Sequence, residues 1–213
     1  MNQKGELLMR VAVIGKGNVG GALAPNIAAA GHEVVYGVKD TGDIEAQRAD
    51  GLPQKVVREA VDGSDIVIFA VHWGAVDDVL SQCGDLDGRI LVDCTNPYDF
   101  QNDLAPLVPN DTSAARVIAG KTKAKVVKAF NQVGAEVMAS APKAAFRPLQ
   151  FVASDDEDAR SIIIQLAKSI GFDARDAGGL EYARELEGMA RLWIAQLFWR
   201  GLPGTTAWQF SAV

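Results

Sequence analysis

The residues with the most chemistry to offer form the run Val11-Ala12-Val13-Ile14-Gly15-Lys16-Gly17-Asn18-Val19-Gly20-Gly21. It is a G-x-G-x-x-G pattern directly after an apolar strand and directly before a helix. Gly15 makes the tight turn, Gly17 lets the backbone approach a pyrophosphate, and Gly20 allows close contact between helix and strand. Unpaired amides at the helix start then face the anion, with Lys16, Asn18 and Val19 completing the cradle. A glycine turn of purely structural purpose is the plain alternative. The flanking strand and helix favour dinucleotide binding.

The end of the next strand, Tyr36-Gly37-Val38-Lys39-Asp40, selects among dinucleotides. An acid at that tip would accept from a ribose 2′-hydroxyl and repel a 2′-phosphate. The tip carries no acid, and Lys39 just past it suits a 2′-phosphate as a point charge. The competing assignment leaves Lys39 solvated and gives the ribose to Asp40, with Thr41 as a further hydroxyl. NADP is the expected cofactor.

Other chemistry is thin. Two histidines, His32 and His72, are too few for a multi-histidine zinc site. Cys83 and Cys94 form no CxxC pair and read as reduced, packed thiols. The acids Asp155, Asp156, Glu157 and Asp158 invite a metal, but they suit the positive end of the helix they open. No metal is expected.

These residues need a scaffold, and strand-length apolar runs alternating with helical patterns supply one: stacked βαβ units feeding a parallel sheet. The pattern predicts strands at Met9 to Ile14, Glu33 to Val38, Ile66 to Val71, Arg89 to Asp93, Val126 to Phe130, Leu149 to Ala153 and Phe172 to Arg175. It predicts helices at Asn18 to Ala30, Asp43 to Ala49, Gly74 to Leu80, Ala114 to Ala119, Asp155 to Ile170 and Leu180 to Trp199. Val56 to Val61 fits either type. Pro25 deletes a backbone bond inside the first helix, where a bend is expected; Gly31 is its stop signal. In the last helix Leu186, Ala190, Trp193, Ile194 and Leu197 share one stripe. Aromatic surface beyond it, at Trp199 and Trp208, suits core packing, a pocket wall or a dimer interface.

The 213 residues argue for one compact domain with a small accessory lobe, and 48% hydrophobic content is ample for its core. A net charge of −6 disfavours nucleic acid and anionic lipid as partners. The longest strongly apolar stretch, Ile66 to Val71, is far short of the roughly 20 residues of a membrane span. The N-terminus carries no apolar signal core. A soluble, cytoplasmic protein is expected.

With these motifs in hand, the chain resembles the NADPH-dependent coenzyme F420 reductase family, from about Met9 to the C-terminus. The carriers are the glycine loop, Gly37-Val38-Lys39-Asp40, Ala70-Val71-His72-Trp73, Asp93-Cys94-Thr95-Asn96-Pro97, Lys128-Ala129-Phe130-Asn131 and Asp176-Ala177-Gly178-Gly179-Leu180. The same combination, down to Ala183-Arg184-Glu185-Leu186-Glu187, is similar to the cytoplasmic oxidoreductase domain of membrane metalloreductases, without their haem domain. Family members usually have Pro at His72 and Arg at Lys39.

The resemblance implies an α/β, Rossmann-type doubly wound, mostly parallel sheet over residues 9–148, with a small C-terminal α/β lobe over 149–213 completing the cleft. It implies hydride transfer between NADP(H) and a deazaflavin (coenzyme F420) or related flavin, a small-molecule acceptor; the aromatic surface at the chain end adds the expectation of a homodimer. No obligatory catalytic side chain follows from such chemistry, and His72 is the one candidate. Val38, Val71, His72, Trp73, Asn96 and Asn131 join the glycine loop and Lys39 as expected cofactor contacts. Gly178-Gly179 either bounds the acceptor pocket or simply turns the chain. The competing functions are a silent NADP(H)-binding sensor and an NADPH-dependent carbonyl or imine reductase, for which the C-terminal tail is short.

Overall fold

Strands buried on both faces of a sheet must be apolar nearly throughout, and the central strands of the computed structural model obey this. It describes residues 8–39 and 49–212. In chain order the elements are β1 (Arg10–Ile14), α1 (Asn18–Ala29), β2 (Glu33–Val38), β3 (Gln54–Val56), α2 (Val57–Asp62) and β4 (Ile66–Phe69). A 3₁₀ turn over Trp73–Ala75 leads into α3 (Val76–Gln82), then come β5 (Ile90–Asp93) and a ribbon of β6 (Tyr98–Asp99) and β7 (Ala105–Pro106). The chain continues through α4 (Ala114–Ala119), β8 (Lys125–Lys128), α5 (Ala135–Ser140), β9 (Leu149–Ala153), α6 (Glu157–Ser169) and β10 (Asp173–Gly178). A second 3₁₀ turn over Leu180–Tyr182 precedes α7 (Ala183–Arg200).

Eight strands form one sheet in the order β10-β9-β8-β5-β4-β1-β2-β3. Pairs are parallel except β8 with β9, which meet antiparallel at Lys128 and Ala153. The winding reverses at β1: β2 and β3 lie to one side, β4, β5 and β8 to the other. Such a switch point opens a crevice at the strand C-termini, where open α/β sheets bind ligands.

The two-residue side-chain alternation of β1 splits the core in two. Val11 and Val13 pack with Leu23 and Ile27 of α1 and Ile163 and Leu166 of α6. Ala12 and Ile14 face the other way, toward Val57 and Val61 of α2 and Ile118 of α4. The predicted stripe of α7 is inward: Leu186, Ala190, Trp193 and Ile194 are buried and Leu197 half-buried.

Several expectations are refined. Helix α1 runs through Pro25 without interruption and ends before Gly31, whose φ of +95° makes the reversal. The ambiguous Val56–Val61 stretch divides: Val56 closes β3, and the rest is helix α2. The short helix expected at Asp43 to Ala49 lies, apart from Ala49, outside the described residues, as do Asp40 and Thr41. Helix α5 and the β6–β7 ribbon were not expected. The acid cluster is structural: Asp156 caps α6, its Oδ1 accepting from Ala159 N at 2.8 Å, and Asp155 Oδ1 accepts from Leu180 N at 2.7 Å. No described helix is long and apolar enough to cross a membrane.

Candidate functional site

Gly15 follows β1 with φ +99°, a conformation that favours glycine, and a Cβ there would lie 2.6 Å from the Ala70 carbonyl oxygen. A Cβ on Gly20 would fall 1.9 Å from the Gly15 oxygen. Those two glycines therefore exist for packing. Gly17 differs: a Cβ on it meets nothing within 4 Å. It is the N-cap of α1, without a side-chain capping bond and without an acid in the first turn. Helix geometry leaves the first N–H groups without intrahelical acceptors, so bare donors and the positive end of the helix dipole meet open space. That combination fits a phosphate anion.

Clefts lie on either side of this helix start. The smaller, about 220 Å³, is lined by Lys16, Val38 and Lys39 with Val79 and Gln82 of α3. The larger, about 570 Å³, is lined by Gly17, Asn18 and Val19, by Val71, His72 and Trp73 after β4, and by Cys94, Thr95 and Asn96 after β5. Gly15 and Val71 border both. The sheet order sets the two clefts on opposite sides of β1, the smaller toward β2 and the larger toward β4 and β5. β4 ends at Phe69, two residues before the expected Val71, which frees Ala70 and Val71 to form cleft wall.

Lys16 Nζ donates to Gln54 Oε1 at 3.1 Å. Lys39 is exposed, and its Nζ stands 3.6 Å from Asp78 Oδ2 of α3. His72 is exposed and opens the 3₁₀ turn, its carbonyl accepting from Ala75 N. Trp73 is half-buried. Asn96 and Asn131 clasp each other: Asn96 Nδ2 donates to the Asn131 carbonyl at 2.9 Å and Asn131 Nδ2 to Asn96 Oδ1 at 3.0 Å. Asn131 is buried, also donates to the Leu186 carbonyl, and lines neither cleft, so it sets the position of Asn96. It follows Phe130, a buried residue with φ +57° whose ring packs edge-on against Phe172. A bulky left-handed residue is strained, and such strain gathers where geometry is imposed. Gly178 takes φ +94°, and neither it nor Gly179 lines these clefts.

Three features escape the sequence reading. Tyr98, Phe100 and Leu107, on or beside the β6–β7 ribbon, wall the large cleft. A third cleft of about 400 Å³ shares Tyr98 and is lined by Arg184, Arg191 and Trp199; the Arg191 guanidinium lies 5.8 Å from the Tyr98 ring centre. Between the clefts sits a buried charge network. Lys128 Nζ donates to Asp93 Oδ2 at 2.9 Å, Glu187 Oε1 at 2.9 Å and the Thr95 carbonyl at 2.5 Å, satisfying all three ammonium protons. Glu187 also accepts from Ala114 N at the start of α4. Burial pushes the Glu187 carboxyl up, against the opposing pull of Lys128. Burial pulls the Lys128 ammonium down, but its two carboxylates outweigh that and hold it above its ordinary value. A charge at the last position of each of two neighbouring apolar strands, Asp93 and Lys128, was the available signal.

Neither thiol is set up as a nucleophile: both cysteines are free and buried, and burial pushes Cys83 up to about 12 and Cys94 higher. Among the described residues no group of three His, Cys, Asp or Glu side chains could hold a metal ion.

The Lys39–Asp78 pair carries a prediction of opposite signs. Lys39→Ala lowers affinity for NADPH about tenfold more than for NADH, through loss of a charged contact. Asp78→Asn, by releasing Lys39 and removing a like charge, tightens NADPH about threefold, the scale of an exposed ion pair. Titrations of both nucleotides at low and high salt check this; equal changes for NADH would remove Lys39 from 2′-phosphate recognition.

Residues 10–97 match the family described as NADP oxidoreductase, coenzyme F420-dependent. The F420-dependent NADP reductase of Methanothermobacter marburgensis is 30% identical over 213 aligned positions, spanning 87% of this chain and 91% of the relative. Metalloreductase STEAP3 of Rattus norvegicus is 27% identical over 84% of this chain, which spans only 36% of that protein's length. Among solved structures, a protein assigned as an F420-dependent NADP reductase from Arthrobacter sp. FB24 superposes with a TM-score of 0.79 at 29% identity, covering 91% of this chain and 95% of the other. An imine reductase from Myxococcus stipitatus, at 15% identity and a TM-score of 0.67, shares the fold alone; the alignment covers 92% of this chain and 64% of that one.

Proposed function

The chain belongs to the family of coenzyme F420-dependent NADP oxidoreductases, and from that premise we propose that it passes a hydride between NADP(H) and a deazaflavin or closely related flavin, as a soluble cytoplasmic enzyme. The observation that carries the reading is the uncapped helix start at Gly17 with a cleft on each side. Bound NADPH would supply the hydride, which carries both electrons, so the protein's task is to hold two flat rings in contact and keep water away.

The chain's residues divide that task. Main-chain amides from Gly17 to Val19 would hold the pyrophosphate, and Lys39 with Lys16 the 2′-phosphate side. Val71, Trp73 and the Asn96 clasp bound the nicotinamide end. Tyr98, Phe100 and Leu107 offer apolar walls against which an acceptor ring would lie. The third cleft, entered past Tyr98, puts Arg184 and Arg191 where the acidic part of an acceptor would extend. His72, exposed at the rim of the large cleft, would exchange a proton with the acceptor rather than take part in hydride movement. The exposed side chains of Phe198 and Trp199, with the Phe198 ring edge-on to Phe100 at 6.5 Å, support self-association beside the same clefts.

The test follows NADPH absorbance with the purified protein against F420, FMN, FAD, a quinone and a ferric chelate. Oxidation is expected with F420 and, more slowly, with free flavins. Tight NADPH binding without turnover on any acceptor would replace this reading with that of a nucleotide sensor.

A further inference from the structure

Thr95 follows β5 at the wall of the large cleft and is only 2% exposed. Both of its backbone polar groups are committed to the buried charge network. Its N–H donates to Asp93 Oδ1 at 2.8 Å, and its carbonyl accepts from Lys128 Nζ at 2.5 Å. These are charge-assisted bonds in a dry setting, the stronger kind. Its side-chain hydroxyl, by contrast, has no hydrogen-bond partner. Native interiors leave few polar atoms in that condition, because an unpaired buried hydroxyl keeps its full desolvation penalty.

Rigid backbone and idle hydroxyl together describe a group preorganised for something that enters the cleft. We infer that Thr95 Oγ1 is a hydrogen-bonding contact for the nicotinamide riboside half of the bound nucleotide, meeting either a ribose hydroxyl or the carboxamide. The sheet order selects that half: the adenosine side belongs to the β2 end, whereas Thr95 lies beyond β4, at the end of β5. Lys128, Asp93 and Glu187 then act as positioning residues, fixing the threonine from behind. The inference rests on the nucleotide reading above.

The experiment compares wild type, Thr95→Val and Thr95→Ser by calorimetric titration and thermal unfolding. Valine keeps the shape and deletes the hydroxyl; serine keeps the hydroxyl. Thr95→Val is expected to unfold at a temperature no lower than wild type, since an unsatisfied polar atom has gone, yet to bind NADPH about tenfold more weakly. Thr95→Ser is expected to stay within about threefold of wild type. Adenosine 2′,5′-bisphosphate, which lacks the nicotinamide riboside, is expected to bind all three proteins alike. Weakened binding of 2′-phospho-ADP-ribose by the valine variant assigns the contact to the ribose; undiminished binding assigns it to the carboxamide. Wild-type NADPH affinity in Thr95→Val, or a parallel loss for the bisphosphate, overturns the inference. Absence of nucleotide binding in wild type would instead overturn the function proposed above.

Discussion

Gly17→Val folds and loses the nucleotide, while Gly20→Val does not reach the native fold. The two glycines sit three residues apart in one loop, and the geometry assigns them opposite fates. Gly17 has φ −72°, ordinary for any residue, and open space where a Cβ would go. Valine there is a poor N-cap, at a cost of about 1 kcal/mol. Its methyl groups, however, occupy the space through which an anion reaches the first amides of α1, and NADPH affinity falls about 100-fold or more, the equivalent of roughly 3 kcal/mol. At Gly20 a Cβ would sit 1.9 Å from the Gly15 oxygen, a backbone atom that cannot step aside without parting α1 from β1. Thermal unfolding and calorimetric titration of both variants make the comparison. If Gly17→Val bound NADPH like wild type, the phosphates would have to dock elsewhere.

The second large effect lies under the cleft. Lys128→Met leaves Asp93 and Glu187 buried without their cation, and removing one member of a buried ion network costs about 3–5 kcal/mol. Glu187→Gln is much milder, because Lys128 and Asp93 remain a matched pair. The pH dependence separates these roles further. In the unfolded chain Glu187 titrates near 4.5, and burial raises it in the folded protein. The folded state therefore keeps a proton that the unfolded chain releases. This contribution to stability is complete below about 4.5 and is lost as pH climbs through the raised folded value. Lys128, held above 10.5, stays charged throughout that range. Urea unfolding from pH 4 upward is expected to show this decline in wild type and not in Glu187→Gln. Identical slopes in both proteins would mean that the Glu187 carboxyl binds its proton equally in the folded and unfolded states.

Much of this architecture was legible because its signals are local. Unbroken apolar runs marked β1, β4 and β5, and the glycine loop announced itself by spacing between a strand and a helix. Asp156 could be recognised as a cap because capping needs only neighbours in sequence. The β6–β7 ribbon was not legible: two residues per strand carry no periodicity, so Tyr98, Phe100 and Leu107 gave no hint that they wall a cleft. Helix α5 is six residues long, as is α4, but it starts at Gly134 without a side-chain cap, whereas Ser113 caps α4. The Lys128 network joins residues 35 and 59 positions apart, through a register that only the folded sheet defines. Asn131 shows the same limit in reverse. Its type and place after a strand suggested a ligand contact, whereas its amide is committed to Asn96, Gln132 and the Leu186 carbonyl.

The most direct trial of the account is isotopic. Purified protein is given F420 and NADPH deuterated at the transferring carbon of the nicotinamide, on each face in turn, and the reduced deazaflavin is analysed by mass spectrometry. Direct passage between rings held together in one cleft predicts that the label from one face arrives intact on the deazaflavin. Deuterium appearing in solvent water, or no reduced deazaflavin from either labelled nucleotide, would contradict it.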